Sequence, residues 1–259
     1  MLVGTLYENE WLTFIICFVI FFLATEVGFR IGQIRRPIVD ETAKSQITTF
    51  QGAILGLLAL LLAFTMSMAL SRFEARKDMV LEESNAIGTA YLRAQLLPEP
   101  EKTEISRLLR QYVVVRLEAA RTGNLQNAIT KSEDLHDRLW LQAVAVGKKA
   151  PQPFPTGLFV QSLNEVIDIH SKRLKAVTDH VPTSILLLLF TAAIFGMGAV
   201  GYGCGLGNSR HVISRLAMAV LITGVMLAII DIDQPQRGLI KVSQQSMMSL
   251  RDSINKPTP

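Results

Sequence analysis

Cysteine is scarce: Cys17 and Cys204 are the two in 259 residues. Both fall inside apolar runs. A disulfide framework is therefore excluded, and small packing residues are the expected role. The four histidines, His136, His170, His180 and His211, stand at no metal-ligand spacing with Glu, Cys or each other. No phosphate-cradling loop of the Walker type occurs. The glycine-rich GMGAVGYGCGLG, residues 196–207, lacks the strand-turn-helix context of a dinucleotide site. No basic run is dense enough for nucleic acid, although the net charge is +4. These absences leave no catalytic constellation, so an enzyme is not expected, nor a cofactor or a metal. Charge itself is low, at 19% of residues.

What the chain has is apolar length. Residues 11–29, 52–71, 184–206 and 212–230 are almost wholly apolar. Each suffices to cross a hydrocarbon core of about 30 Å as a helix. Lipid offers backbone groups no partner, so helices are the expected form. The stretch before the first run, MLVGTLYENE, has no Lys or Arg, so the run reads as a retained span rather than a signal peptide. The pattern predicts an all-α, multi-pass membrane protein with four spans. Lys and Arg near the spans favour both termini in the cytoplasm. Residues 72–183 then form a cytosolic helical region, and 231–259 a cytosolic tail.

The polar region reads as four helices. The first continues the second span without a break, through AFTMSMALSRFEARKDMVLEESNAIG, to about Leu97. The prolines at 98 and 100 end it. The second covers about 101–121, with Leu108, Leu109, Tyr112, Val113, Arg116 and Leu117 at near-helical period. Thr122, Gly123 and Asn124 form its expected C-cap and turn. The third covers 125–148. Residues 148–157, KKAPQPFPTG, read as a loop because of their prolines. The fourth runs 158–180, with Leu163, Val166, Ile167, His170, Leu174 and Val177 on one face. The first helix has an apolar side of Val80, Ile87, Ala90, Tyr91, Ala94 and Leu97. Either the other polar helices or a second subunit must cover it.

The second span is the most informative. Gly56, Leu60, Phe64 and Met68 fall at spacing four, along one stripe. Thr65 and Ser67 bring hydroxyls to its lower half. Two readings stand. One is a packed helix in a bundle. The other is a pore-lining helix with an apolar constriction at Leu60 and Phe64, of the kind that gates by dewetting. Below it, Arg72, Arg76, Lys77, Glu74, Asp78, Glu82 and Glu83 mix both signs, so ion sign is not readable from a vestibule built of them. Gly28 with Gly32, Gly52 with Gly56, and the 196–207 glycines read as helix-packing positions. Glu26 is expected to pair with Arg30 at i, i+4. Asp231 and Asp233, in the turn after the last span, either accept from backbone donors, pair with Arg237, or face ions.

The segments GLLALLLAFTMSMALSRFEARKDMVLEESNAIGTAYLRAQLLP, LLRQY and DIDQPQRGLIKVSQQ resemble the bestrophin-like family of bacterial membrane proteins. That family is distantly similar to the bestrophins, which are pentameric anion channels. The resemblance implies a homo-oligomer in the bacterial inner membrane that passes small ions, with the second span lining the pore. Set in register by Arg72 and Phe73, the bestrophin neck falls on Gly56, Leu60 and Phe64. Ser67 and Met68 extend the lining, and Arg72, Arg76 and Glu83 would face the vestibule. Gly56 departs from the family's apolar neck. Asp231 and Asp233 are all that remains of the acidic run that binds calcium in animal bestrophins. The alternative function is a non-conducting, membrane-anchored scaffold or sensor whose cytosolic helices bind a partner protein.

Overall fold

The computed structural model describes residues 10–149, 153–207, 211–234 and 240–256. Helix α1 is Glu10–Arg35, α2 Glu41–Ala94, α3 Glu101–Thr122 and α4 Leu125–Lys149. Helix α5 is Pro153–Thr178, α6 Thr183–Leu206, α7 Val212–Asp233 and α8 Gln245–Ile254. No strand occurs among the described residues. Four helices are long and apolar enough to cross a membrane. The chain divides into two compact units: residues 1–71 with 180–234, and 72–179 with 235–259.

Helix α2 holds 54 residues without a proline. It begins at Glu41, eleven residues before the expected apolar start at 52. The cause is a cap: Asp40 Oδ1 accepts from Ala43 N at 2.8 Å, satisfying an orphan donor of the first turn. At the other end the backbone of residues 95–97 tightens. Gln95, Leu96 and Leu97 donate to the carbonyls three residues back, at 3.1–3.2 Å. Pro98 and Pro100 then forbid continuation.

Gly123 ends α3 as expected. Its φ of 70° is left-handed, and its N–H reaches Ala119 O. Asn124 Oδ1 then accepts from Asn127 N at 3.2 Å and starts α4. The expected loop at 148–157 is much shorter. Lys148 and Lys149 finish α4, and 153–157 are the first residues of α5. Pro153 and Pro155 fit there because a first helical turn has no intrahelical use for their missing N–H groups. The expected tail carries a helix of its own, α8.

In the membrane unit, α1 packs on α6 through glycine. A Cβ on Gly28 would overlap Gly198 O, and one on Gly205 would overlap Phe29 O. A Cβ on Gly201 would overlap Thr25 O and stand 2.8 Å from Thr25 C. These backbones touch, which only residues without side chains permit. Gly28, Gly32, Gly201 and Gly205 are therefore backbone-packing positions as expected. Gly52 and Gly56 make no such contact within the chain: nothing in the described structure lies within 4 Å of a Cβ at either. Phe21, Leu58, Leu189, Met197 and Ile229 form the unit's core.

In the polar unit, Ile87, Leu108, Leu109, Leu139, Phe159 and Leu163 are buried in one cluster. Ala86, Ala90, Tyr91, Ala94 and Leu97 of the first polar helix and its terminal turn join it. The apolar side of α2 is thus covered by its own chain. Met247 and Ile254 bring α8 into the same core. Arg110 Nε and Tyr91 Oη donate to Ile254 O at 3.0 and 3.3 Å and hold that end of α8.

Candidate functional site

The face of α2 that carries the expected constriction is uncovered in the protomer. Gly56, Leu60, Phe64 and Ser67 are exposed, with Leu60 at 52% and Phe64 at 65%. Met68 is partly buried against the membrane core. Thr65 does not belong to this face. It is 3% exposed, and its hydroxyl donates to Leu61 O at 2.7 Å on its own helix. The exposed face has two strips. Gly52, Gly56, Ala59, Ala63, Ser67 and Ser71 form a small-residue strip at helical spacing, and Leu57, Leu60 and Phe64 stand beside it. The exposed face of α1 differs: Ile15, Val19, Leu23, Val27 and Ile31 are all large aliphatics. That composition suits acyl chains, whereas the α2 composition suits another helix or water.

The charged half of α2 splits by face. Arg72 is half-exposed, and Glu74, Lys77, Asp78 and Glu82 are exposed. Arg76 and Glu83, expected on a vestibule wall, are instead inside the polar unit, at 3% and 0% exposure. The reason is helical phase: both fall on the side that carries Val80, Ile87 and Ala90. Arg76 donates from Nε to Ala176 O at 2.9 Å and from Nη2 to Asp179 O at 2.7 Å, at the end of α5.

Glu83 is the hub of a buried polar cluster. Its Oε1 accepts from Tyr112 Oη at 2.8 Å and lies 2.9 Å from Arg116 Nε. Its Oε2 is ion-paired with Arg173 Nη1. Burial pushes the carboxyl up. The guanidiniums of Arg173 and Arg116 and the Tyr112 hydroxyl outweigh it and hold Glu83 below the usual carboxylate range. Burial, with the Glu83 charge beside it, drives the Tyr112 phenol well above its ordinary value. His170 Nδ1 is 3.1 Å from Tyr112 Oη, and His136 packs edge-on to His170 with ring centres 5.0 Å apart. Burial lowers both imidazoles from 6.5 to about 4, so each is neutral near pH 7. Among the described residues no group of His, Cys, Asp and Glu is arranged to hold a metal ion.

The sequence does not show this cluster as a unit, yet it carries a signal for it. Arg116 interrupts the apolar face of α3, and His170 that of α5. Charged or titratable residues at core positions of separate helices imply that they meet. LLRQY gains a physical meaning as well: Leu108, Leu109 and Tyr112 are core residues, and Tyr112 is the Glu83 donor.

Within the membrane unit, Glu26 takes both the expected Arg30 and a second partner. Arg30 Nε is 3.2 Å from Glu26 Oε1, and Arg215 Nη1 is 3.3 Å from Oε2. The Arg215 guanidinium also lies over the Phe29 ring, 4.4 Å from its centre, an arrangement that compensates a cation 3% exposed. Asp233 accepts at both oxygens from Val181 N, at 3.1 Å each. It therefore ties the end of α7 to the segment leading into α6, as a backbone acceptor. His180 Nδ1 is 3.3 Å from Asp233 Oδ2. Asp231 is also buried. Arg237 lies outside the described residues.

Comparison with known proteins agrees with this architecture. A family model described as the bestrophin-like domain matches residues 14–247. Among solved structures, a single-site mutant of a bacterial bestrophin homologue from Klebsiella pneumoniae aligns with a TM-score of 0.68 at 13% identity, over 95% of this chain and 96% of that one. A structure of the Klebsiella pneumoniae homologue solved by zinc phasing aligns at 0.63 and 13% identity, over 91% and 95%. No curated protein matches the sequence. With four membrane-length helices, a helical polar unit and a family match over nearly its whole length, the chain belongs to the bestrophin-like domain family.

Proposed function

We propose that the chain is one subunit of a homo-oligomeric ion channel in the bacterial inner membrane, with α2 lining the pore. The observation that carries this reading is the uncovered face of α2. An apolar ridge of Leu57, Leu60 and Phe64 runs beside a strip of Gly52, Gly56, Ala59, Ala63, Ser67 and Ser71. Lipid tails favour neither glycine nor serine at a surface. A neighbouring copy favours small residues, because they let backbones approach. Leu60 and Phe64 would form the apolar constriction, with Gly56 above and Ser67 and Met68 below. Arg72 would stand at the start of the vestibule wall, whose exposed charges are Glu74, Lys77, Asp78 and Glu82. Kinship with bestrophins favours small monovalent anions and a pentamer. Asp231 and Asp233 then close the last span, with Asp233 in a structural role and no calcium clasp required.

Planar bilayers holding the purified protein test this reading. Single-channel currents are expected, and Phe64→Ala is expected to change conductance or open probability several-fold by removing the widest apolar side chain of the constriction. Val19→Ala, on the exposed face of α1, leaves both unchanged. Silent bilayers, combined with an oligomer whose α2 faces lipid, would overturn the proposal.

A further inference from the structure

The polar unit contains a cavity of about 150 Å³. A water needs roughly 10–15 Å³ of such space, so the cavity has room for a polyatomic guest. Its polar lining is Arg76, Arg116, Arg173, Lys241 and Gln244, and the rest is alanine, valine and leucine. Among the described residues no carboxylate lines it.

The charge balance around this cavity is uneven. Arg116 and Arg173 are 6% and 7% exposed, and they share one carboxylate, Glu83. Arg173 spends Nη1 on Glu83 and Nη2 on Gln244 Oε1, at 3.0 Å for the latter. Arg116 stands with Nε 2.9 Å from Glu83 Oε1, an ion pair in which that buried nitrogen makes no hydrogen bond. Its two terminal amino groups meet no acceptor among the described residues, although the side chain is nearly enclosed. Lys241 stands exposed at the edge of the same cavity, without a carboxylate partner among the described residues. A buried guanidinium left with excess charge and open donors is costly unless an anion compensates it.

We propose that this cavity is a binding site for a small oxyanion of the phosphate type. The fork of Arg116 would hold two of its oxygens, and Lys241 would close on it from the exposed side. A planar guanidinium presents parallel N–H groups that match two oxygens of one tetrahedral anion, which a single halide cannot satisfy. The apolar walls lower the local dielectric and so strengthen the pairing. The site lies wholly within the polar unit and does not rest on the channel reading.

The test is a titration of inorganic phosphate into the purified full-length chain in detergent, followed by calorimetry and by thermal unfolding. Nitrate-balanced buffers hold ionic strength constant. One saturable site per chain is expected, with unfolding shifted to higher temperature as phosphate binds. Arg116→Lys keeps the charge but removes the fork, and is expected to weaken binding about tenfold. Lys241→Gln alters an exposed residue that leaves the core intact, and is expected to weaken binding several-fold. A parallel titration with glycerol 3-phosphate separates free phosphate from a phosphoryl group carried on a larger molecule, and tighter binding of either supports the site. The proposal is overturned if neither ligand saturates, if chloride gives the same response, or if both variants bind as the parent does. Currents are not read in any arm, so a failure here is distinct from failure of the pore.

Discussion

In the membrane unit, α1 meets α6 through Gly28, Gly32, Gly201 and Gly205, with backbone against backbone. In the polar unit, neighbouring helices are held by Leu108, Tyr112, Leu139 and Leu163, and by one carboxylate shared between two guanidiniums. The solvent explains the contrast. In water, burying large apolar side chains is itself the driving force. In lipid the alternative surroundings are equally apolar, so leucine gains little by leaving them, and close backbone contact must hold the helices. The same contrast explains where each unit tolerates charge. The polar unit encloses Glu83, Arg116 and Arg173 deep in its core. The membrane unit keeps its charges near helix ends, with Glu26 between Arg30 and Arg215 and Asp233 accepting from Val181 N.

The comparison breaks most readily at Glu83. Replacing it by Ala leaves Arg116 and Arg173 buried without their carboxylate. A loss of about 3–5 kcal/mol is expected, seen as early unfolding of part of the helical signal in circular dichroism of the detergent-solubilised protein. A wild-type melting curve would contradict the shared-carboxylate account.

Acid should act on the polar unit through its buried histidines. His136 and His170 have folded-state pKa values of about 4, lowered by burial from 6.5. Their contribution is complete above pH 6.5. It is lost as pH falls toward 4, because the unfolded chain takes up protons first. The full difference corresponds to at most about 3 kcal/mol for each histidine. Glu83, whose pKa is depressed, adds a loss of the same sign at still lower pH. Melting temperature measured from pH 7 to pH 4 should fall steadily, and a flat profile would rule out neutral buried imidazoles.

Glycine substitutions sharpen the contrast in the other unit. Gly201→Ala drives a Cβ into the Thr25 backbone and is expected to cost about 1–3 kcal/mol. Gly52→Ala meets nothing within 4 Å in the protomer, where helix propensity favours it by up to about 1 kcal/mol. If that strip packs on a second copy, Gly52→Ala will instead weaken the oligomer. Native mass spectrometry of the two variants distinguishes these outcomes.

A modest effect is expected at Tyr112. Tyr112→Phe removes one hydroxyl from a carboxylate that keeps both arginines, a loss of about 1–2 kcal/mol. Thermal unfolding at pH 7 reads it, and the acid profile should keep its shape.

Four apolar runs of membrane length and the proline and glycine breaks determined the spans, the helix count of the polar region and the end of α3 at Gly123, because those signals are local. A glycine pair, by contrast, looks alike whether it touches another helix or open space. Within the chain Gly28 and Gly32 pack, and Gly52 and Gly56 meet nothing, a difference that depends on which helices are neighbours. Helix periodicity placed Glu83 and Arg76 among charged residues of α2, but burial followed from the phase of that helix against α3 and α5. The start of α2 after Asp40 and the helix hidden in the tail were written in short signals, one cap and the spacing of Met247, Leu250 and Ile254. The meeting of Glu83, Arg116 and Arg173 was decided only by the tertiary structure, since a charge becomes a partner only when separate helices bring it within reach.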